Sequence, residues 1–590
     1  MKKRVSSNCT IDDVRTSEGR QDAVLRGEIM SETGHPLSAR ITLWDEEGRP
    51  LHATYPRWPG FWANGTFAMD LQPGKWRGTV RCGPEFEPAM FELGLESGQE
   101  VTVTVRLHRW MDLPKLGWYG GDSHIHVVHG ENQIKGVDID YAGRVCKGEG
   151  LSYANVCYLW DRRTEEFAQK VKQTGNTVRA LKMMYPIWEL EEACCKASDD
   201  TFILWWNLEA PKAYYRTEEY SVCIGHGWTM NMRSFGEERD FTVPPNYEIC
   251  HTIHRQGGIV VYSHPARWWL NAPGSGRRFV SNLAVELPFD TVVGPVYDGI
   301  DCMSDEPDHP LNQAIWYALL NMGYKMPGTA SSDACLDRPS GVIPGLMRTY
   351  TEAEFFSIRA IAEGIRRGRN FVTSGPFLFF KIGTFGLGDE IRADGVERSA
   401  TIRAACTGDP GEYLTAVQLI RNGQVVRAWE AYTRRQIDIQ FNITERETAW
   451  YIAKCYGAHP GQVAYTNPIY FVAEGYERPR PASAHLRAEV RDEESGRLLS
   501  GAVHIYHHGE RMADYPIQGG LFEVDVPATS QLEIHVPGYL PVRKTIMMDY
   551  APIWDRMINI TDMALTRPET YQAFRDELSD MHWTLRLKKG

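Results

Sequence analysis

The sequence predicts a multidomain protein in which an α/β barrel of parallel strands is flanked by β-sandwich domains. Its 590 residues are too many for one hydrophobic core, because domains hold about 100–200 residues. Short alternating strands dominate both ends of the chain, whereas short apolar runs alternate with helical patterns between residues 112 and 375. That alternation is typical of parallel βα units, and this many units favour a barrel.

Changes in these patterns divide the chain into six predicted segments. They are an N-terminal arm at 1–23, a β-sandwich at 24–110, the barrel at 111–375, a β-sandwich at 376–480, another at 481–548 and a helical tail at 549–590. Asn422-Gly423 lies between two alternating apolar runs and predicts a tight hairpin. We could assign no role to the tail from its sequence.

The two terminal sandwiches contain similar motifs in the same order. PLSARITLWDEEGRPL near Pro36 resembles LLSGAVHIYHHGERM near Leu498, and GTFAMDLQPG at Gly65 resembles GLFEVDVPAT at Gly520. Both segments resemble the carboxypeptidase-regulatory-like β-sandwich. We therefore expect one shared topology and no catalytic residue in either module. His507-His508 is expected to lie exposed in a hairpin turn.

Composition and charge exclude several classes of protein. The formal net charge is −12, which argues against a nucleic-acid partner because binding phosphates needs a basic surface. No apolar run approaches the roughly 20 residues that a membrane span needs. The 12 cysteines are scattered without a CxxC pair, and no apolar stretch follows the basic N-terminus. These features predict free thiols and a cytoplasmic location.

Side chains that bind metals follow the apolar runs of the central segment. The motifs are GGDSHIH, ILWWNLE, SVCIGHG, GGIVVYSHP and GTASSD. Because the C-terminal ends of barrel strands meet at one rim, we expect these side chains to lie together. The predicted metal ligands are His124, His126, Glu209, His226, His264 and Asp333.

The His-x-His pair is the strongest part of this pattern. On extended backbone, His124 and His126 point to the same face, since side chains alternate with a period of two. Imidazole and carboxylate ligands suit one or two divalent transition-metal ions, zinc or manganese first and iron as an alternative. Weaker candidates are His129, His251, His254, His309 and Cys335, for which surface, helix-packing, loop or buried structural roles are favoured.

The ordered set GGDSHIH, GHG, YSHP and SSDA resembles the PHP (polymerase and histidinol phosphatase) superfamily of metallohydrolases. VELPFD, YDGIDCMS and GRNFVTSGPF bring the resemblance nearer to its CehA/McbA-like branch. The resemblance implies a distorted (β/α)7 barrel in which His124, His126, Glu209 and Asp333 bind a first metal. Glu209 would bridge to a second metal held by His226 and His264.

The chain departs from that superfamily at two positions. Leu159-Trp160-Asp161 stands where a TDH-like motif is expected, and Cys335 replaces the last histidine of Asp-x-His. Both changes remove ligands of a third metal, so a site with one or two metals is predicted.

These residues predict a metallohydrolase that uses a metal-bound hydroxide on a small-molecule substrate. Asp333, His264 and Arg267 are the predicted catalytic residues, and Asp122 is expected to orient a histidine. Six aromatic residues near the strand ends favour an ester, amide or carbamate of a small aromatic or sugar-like compound: Trp205, Trp206, Trp228, Tyr262, Trp268 and Trp269. Phosphoester hydrolysis is the first alternative function, and non-catalytic binding of a carbohydrate or a surface is the second alternative. A homo-oligomer is left open.

Overall fold

The fold is described from a computed structural model. It describes residues 4–5, 9–16, 22–51, 58–128, 134, 136–157, 169–170, 172–173, 187–207, 209, 212–216, 220–225, 227–231, 246–266, 278–280, 284–294, 296–304, 306–339, 341–409 and 411–590. Within these ranges the chain is multidomain, with α/β and predominantly β regions. None of the helices described has the length and apolar character that crossing a membrane requires.

The N-terminal module is a sandwich of two sheets with a buried core between them. One sheet has the strand order β1-β8-β7-β4-β5 and the other β2-β9-β3-β6. The strands are β1 (Arg4–Val5), β2 (Cys9–Thr16), β3 (Ala23–Ser31), β4 (Ser38–Trp44), β5 (Phe61–Asn64), β6 (Thr66–Leu71), β7 (Gly74–Arg81), β8 (Ala89–Leu95) and β9 (Gln99–Leu107).

The central region alternates strands with helices, as the sequence predicts. Its strands are β10 (Trp118–His126), β11 (Tyr153–Cys157), β12 (Ile203–Asn207), β13 (Lys212–Arg216), β14 (Tyr220–Gly225), β15 (Gly227–Met230), β16 (Ile259–Tyr262), β17 (Arg278–Val280), β18 (Gly299–Met303), β19 (Gly328–Ala330), β20 (Ala334–Cys335), β21 (Arg348–Glu352) and β22 (Asn370–Thr373). Its helices are α1 (Ile139–Gly148), α2 (Ile187–Ala197), α3 (Asn246–His254), α4 (Leu287–Val293), α5 (Pro310–Asn321) and α6 (Ile358–Arg366).

Parallel strand pairs of this region belong to three separate sheets, so the described residues do not show the predicted distorted (β/α)7 barrel. Strands β12, β11 and β10 pair in parallel in one sheet, β16, β18 and β19 do so in another, and β14 and β17 do so in a third. Side chains link the sheet edges in place of a backbone ladder. Asn207 Oδ1 accepts from Thr229 N at 2.8 Å, and Thr349 Oγ1 accepts from Ala330 N at 2.8 Å.

The next sandwich shares a sheet with the central region. Its strands are β23 (Phe377–Ile382), β24 (Glu390–Arg392), β25 (Arg398–Ala405), β26 (Leu414–Arg421), β27 (Gln424–Arg434), β28 (Gln436–Ile443), β29 (Ala449–Gly457), β30 (Val463–Thr466) and β31 (Ile469–Val472). Strand β22 pairs with β30, which produces one 12-stranded sheet across the predicted boundary at 375. The predicted hairpin is present between β26 and β27, with positive φ at Asn422 and Gly423.

The C-terminal module is a third sandwich, and it contains a helical insertion. Its elements are β32 (Ser483–Asp492), β33 (Gly501–His507), β34 (Glu510–Ile517), β35 (Leu521–Pro527), β36 (Gln531–His535), β37 (Val542–Thr545), α7 (Ile546–Asp549), α8 (Ala551–Ile558), α9 (Pro568–Ser579) and β38 (Met581–Leu587). Strand β38 pairs in parallel with β32, so this module extends to Leu587 and does not end at 548. Residues 549–590 are thus not a separate tail, because their last strand completes a sheet of the module.

Candidate metal centre

Two histidines at the end of β10 form the centre of the candidate site. His124 and His126 are 0% and 1% exposed, and their Nε2 atoms lie 3.1 Å apart. Strand periodicity places both rings on one face of β10, as the sequence predicts. Both rings are therefore within reach of a single ion.

Asp333 brings a carboxylate to this histidine pair. Its Oδ1 lies 3.4 Å from His124 Nε2 and 3.1 Å from His126 Nε2. Its Oδ2 lies 3.9 Å from Nε2 of His264, which follows β16. Asp333 and His264 both have positive φ, 49° and 26°, which is uncommon for residues other than glycine. Such backbone strain occurs most often at functional sites.

Of the remaining predicted ligands, Glu209 also reaches the pair. Its Oε2 lies 3.7 Å from His126 Nε2, and the residue is 2% exposed. The structure thus brings His124, His126, Glu209, His264 and Asp333 together. His226 and Arg267 lie outside the described residues, so their predicted roles stay predictions.

Asp122 is buried beneath the site and has a different role from the one expected. Its carboxylate accepts hydrogen bonds from the backbone N–H groups of His124, Ser332 and Gly345 at 3.3, 3.1 and 2.7 Å. It orients the backbone on both sides of the site and does not orient a histidine ring. Burial raises the pKa of Asp122, and these hydrogen bonds partly oppose that shift.

Other buried polar residues hold the loops that carry the ligands. Asp301, in β18, accepts from Thr329 Oγ1 at 2.7 Å and from Ser331 Oγ at 2.5 Å, just before Asp333. Asn312 Oδ1 accepts from Ala266 N at 3.0 Å, just after His264. Neither residue was among the predicted site residues, although YDGIDCMS places a carboxylate within an otherwise apolar strand.

Cys157, the last residue of β11, was not among the predicted ligands. His124, His126 and Cys157 are buried and offer ligand atoms that lie within 4.8 Å of one another. A signal was present, since Cys157 ends the apolar run SYANVC as the histidines end GGDSHIH.

The weaker candidates lie elsewhere or play structural roles. His309 is the N-cap of α5, where its Nδ1 accepts from Asn312 N at 3.2 Å. His254, on α3, forms a 2.7 Å contact with Asp298. His251 stacks on His508 with 3.7 Å between ring centroids. His508 is therefore packed against α3, and the prediction of an exposed turn was wrong for its side chain. His129 lies outside the described residues.

The predicted aromatic rim is not supported by two of its members. Trp206 is 0% exposed and Tyr262 is 1% exposed, and both belong to the hydrophobic core. Tyr262 donates a 2.6 Å hydrogen bond to Asp290 Oδ2. Trp205 is half-buried and packs against that core. The side chains of Trp228, Trp268 and Trp269 lie outside those the structure describes.

The donor atoms fit a transition-metal ion. Ligands bonded to one zinc ion at about 2.0–2.1 Å in a tetrahedral arrangement lie about 3.3–3.4 Å apart. The two histidine Nε2 atoms and Asp333 Oδ1 are separated by 3.1, 3.1 and 3.4 Å. This geometry and the imidazole–carboxylate chemistry fit a divalent metal such as zinc.

Comparisons with known proteins gave structural similarities only. No family model and no curated protein matches the chain. One similar structure is a two-domain protein from Bacteroides vulgatus containing a predicted PHP-like metal-dependent phosphoesterase, with 12% identity, a TM-score of 0.29 and coverage of 60% of this chain and 96% of that chain. Another is BcpA, the major pilin subunit of Bacillus cereus, with 6% identity, a TM-score of 0.21 and coverage of 96% and 100%. TM-scores of this size do not establish a shared fold.

Proposed function

We propose that this protein is a metal-dependent hydrolase whose active site is built on His124, His126 and Asp333. The observation that carries the proposal is the mutual separation of their donor atoms, 3.1–3.4 Å, in a buried setting. A divalent ion held there supplies Lewis acidity that polarises a carbonyl and makes water a nucleophile near neutral pH. The PHP superfamily, in its CehA/McbA-like branch, is the proposed relationship.

The proposed roles of the residues follow from where they lie. His124, His126, Glu209, His264 and Asp333 would hold the ion, and His226 is proposed as a further ligand. Among these residues with described side chains, Asp333 is the most exposed to solvent, with 12% of its side chain accessible. One carboxylate oxygen of Asp333 is therefore placed to accept a proton from an attacking water, while the other oxygen, Oδ1, stays beside the two histidines. Arg267 is proposed to bind the substrate.

We propose a carboxylic ester, amide or carbamate as the bond cleaved. Glu209 and Asp333 already bring negative charge to the site, and a phosphate dianion would add more. A phosphoester therefore needs additional cations, whereas a carbonyl needs only the ion and a proton acceptor. The test compares the rates at which the protein hydrolyses an aryl ester, an aryl carbamate and an aryl phosphate that share the same leaving group. Faster cleavage of the phosphate, lost in Arg267→Ala, would make the protein a phosphoesterase.

Metal analysis of purified protein tests the proposal directly. We expect one or two transition-metal ions per chain and activity that a chelator removes and zinc or manganese restores. His126→Ala should lower metal affinity at least about tenfold while leaving the fold intact, because the side chain lies at a strand end. His485→Ala is the matched control, since His485 pairs with Asp525 on the C-terminal module. If the wild-type protein binds no transition metal, the proposed hydrolase function is wrong and a non-catalytic binding function is favoured instead.

A further inference from the structure

Cys157 lies beside the two histidines that form the centre of the site. It ends β11, which pairs in parallel with β10, and His126 and Cys157 are partners in the register. Paired positions on neighbouring strands direct their side chains to the same face of a sheet. The thiol and the two imidazoles are buried, and their ligand atoms lie within 4.8 Å of one another.

Burial alone does not distinguish this thiol, because most described cysteines are buried. Cys146 and Cys302 lie in the hydrophobic core, where burial raises the pKa of each thiol well above its usual value. Among the cysteines with described side chains, Cys157 is the one that forms a group of potential metal ligands with two histidines. The side chains around Cys157 are therefore the kind that surround a metal ligand.

A second cysteine flanks His126 on the opposite side and provides a comparison. Cys335, in β20, is also a register partner of His126 and is 6% exposed. Its Sγ lies 3.7 Å from the backbone oxygen of Asp333. Two buried thiols therefore lie on the two strands that flank the end of β10, and Cys157 is the one that belongs to the group of potential ligands.

We infer that Cys157 is a thiolate ligand of the ion that His124 and His126 bind. This inference depends on the proposed metal site, and it adds a ligand that determines which metals the site selects. On binding, the S–H bond breaks, the sulfur donates an electron pair to the ion and the proton passes to solvent.

The consequence is a preference among metals. Thiolate is a soft ligand that favours zinc, cobalt(II) and iron(II), whereas manganese prefers oxygen ligands. The site should therefore select zinc over manganese more strongly than a site made only of imidazole and carboxylate groups.

Cobalt substitution tests the inference without relying on activity. Cobalt(II) bound by Cys157 gives a sulfur-to-metal charge-transfer band in the near ultraviolet, and Cys157→Ser should abolish that band. Cys335→Ser, the matched control, should keep it. If Cys157→Ser binds cobalt with the band unchanged, the thiolate assignment is wrong while the metal site stands. If wild-type protein binds no cobalt, the metal site and the thiolate assignment both fail.

Metal competition gives a second readout that does not depend on a band. Cys157→Asp supplies an oxygen ligand at the same position, and it should lower the preference for zinc over manganese at least about tenfold. Circular dichroism of both variants establishes that they fold. An unchanged zinc-to-manganese ratio in folded Cys157→Asp would overturn the inference.

Discussion

The two terminal modules share the order of seven strands, to which the N-terminal module adds β1 and β2, but they are attached to the rest of the protein in different ways. Strand β3 pairs antiparallel with β6 and parallel with β9, and β32 pairs in the same way with β35 and β38. In the second sheets, β5-β4-β7-β8 corresponds to β34-β33-β36-β37. One sandwich topology therefore occurs twice, and the carboxypeptidase-regulatory-like assignment remains a proposal.

The difference between the modules lies in the connection that precedes the last strand. Residues 96–98 join β8 to β9, whereas residues 546–580 join β37 to β38 and contain three helices. Helix α9 packs on α4 of the central region, with Phe574 and Phe289 edge to face at 5.8 Å. The C-terminal module consequently shares a hydrophobic core with the central region, while the N-terminal module has its own. The shared seven-strand topology thus supports either a separate module or an integrated one.

The largest expected effect is on the shared core. Phe574 is 0% exposed, so Phe574→Ala should destabilise the protein by about 3–5 kcal/mol through loss of burial and creation of a cavity. Phe91→Ala in the N-terminal module, where Phe91 is 1% exposed, should cost a similar amount locally. Limited proteolysis separates the two outcomes. We expect Phe574→Ala to expose the C-terminal module and the central region to the protease, and Phe91→Ala to expose only the N-terminal module. If Phe91→Ala released the C-terminal module and Phe574→Ala did not, the assignment of the two cores would be wrong.

A smaller effect is expected where the N-terminal module contacts α1. Trp62 Nε1 donates a 2.8 Å hydrogen bond to Glu149 Oε1, which also lies 3.3 Å from Arg40 Nε. Trp62→Phe removes a hydrogen bond to a charged, buried acceptor and should cost about 1.5–2 kcal/mol in a denaturant titration. Trp76→Phe removes only an exposed bond to Gln72 O and should change stability less. Equal effects would show that the contact with α1 adds nothing.

The smallest effect is a dependence on pH at the contact between the C-terminal module and α3. His508 has its pKa lowered from 6.5 to about 4, chiefly by burial and then by His507, His251, Arg255 and His254. The unfolded chain therefore binds more protons between pH 6.5 and 4, and stability falls as pH falls through that range.

Because His508 is only half-buried, the loss should be about 1 kcal/mol after solvent screening. His508→Gln should reduce the slope of stability against pH, as measured by denaturation at pH 7 and pH 5. An unchanged slope would assign the acid sensitivity to other groups.

The sequence by itself determined features that depend on neighbouring residues. Alternation identified the strands of both terminal modules, Asn422-Gly423 identified a hairpin, and His-x-His placed two imidazoles on one face. The ends of apolar runs also marked Glu209, His264 and Asp333 as candidate ligands, and folding brings them to that pair. The predictions of the strands, the hairpin and the shared face of the two histidines succeeded because side-chain direction and turn conformation are set within a few residues along the chain.

The tertiary structure alone decided which distant segments meet. Only strand pairing brings Cys157 beside His126, and only folding brings Asp122 to the backbone of Ser332 and Gly345. The same holds for the sheet that continues across residue 375 and for β38, which joins β32 after the helical insertion. Parallel pairing joins residues far apart in sequence, and its register depends on the packing of whole sheets, which local periodicity does not specify.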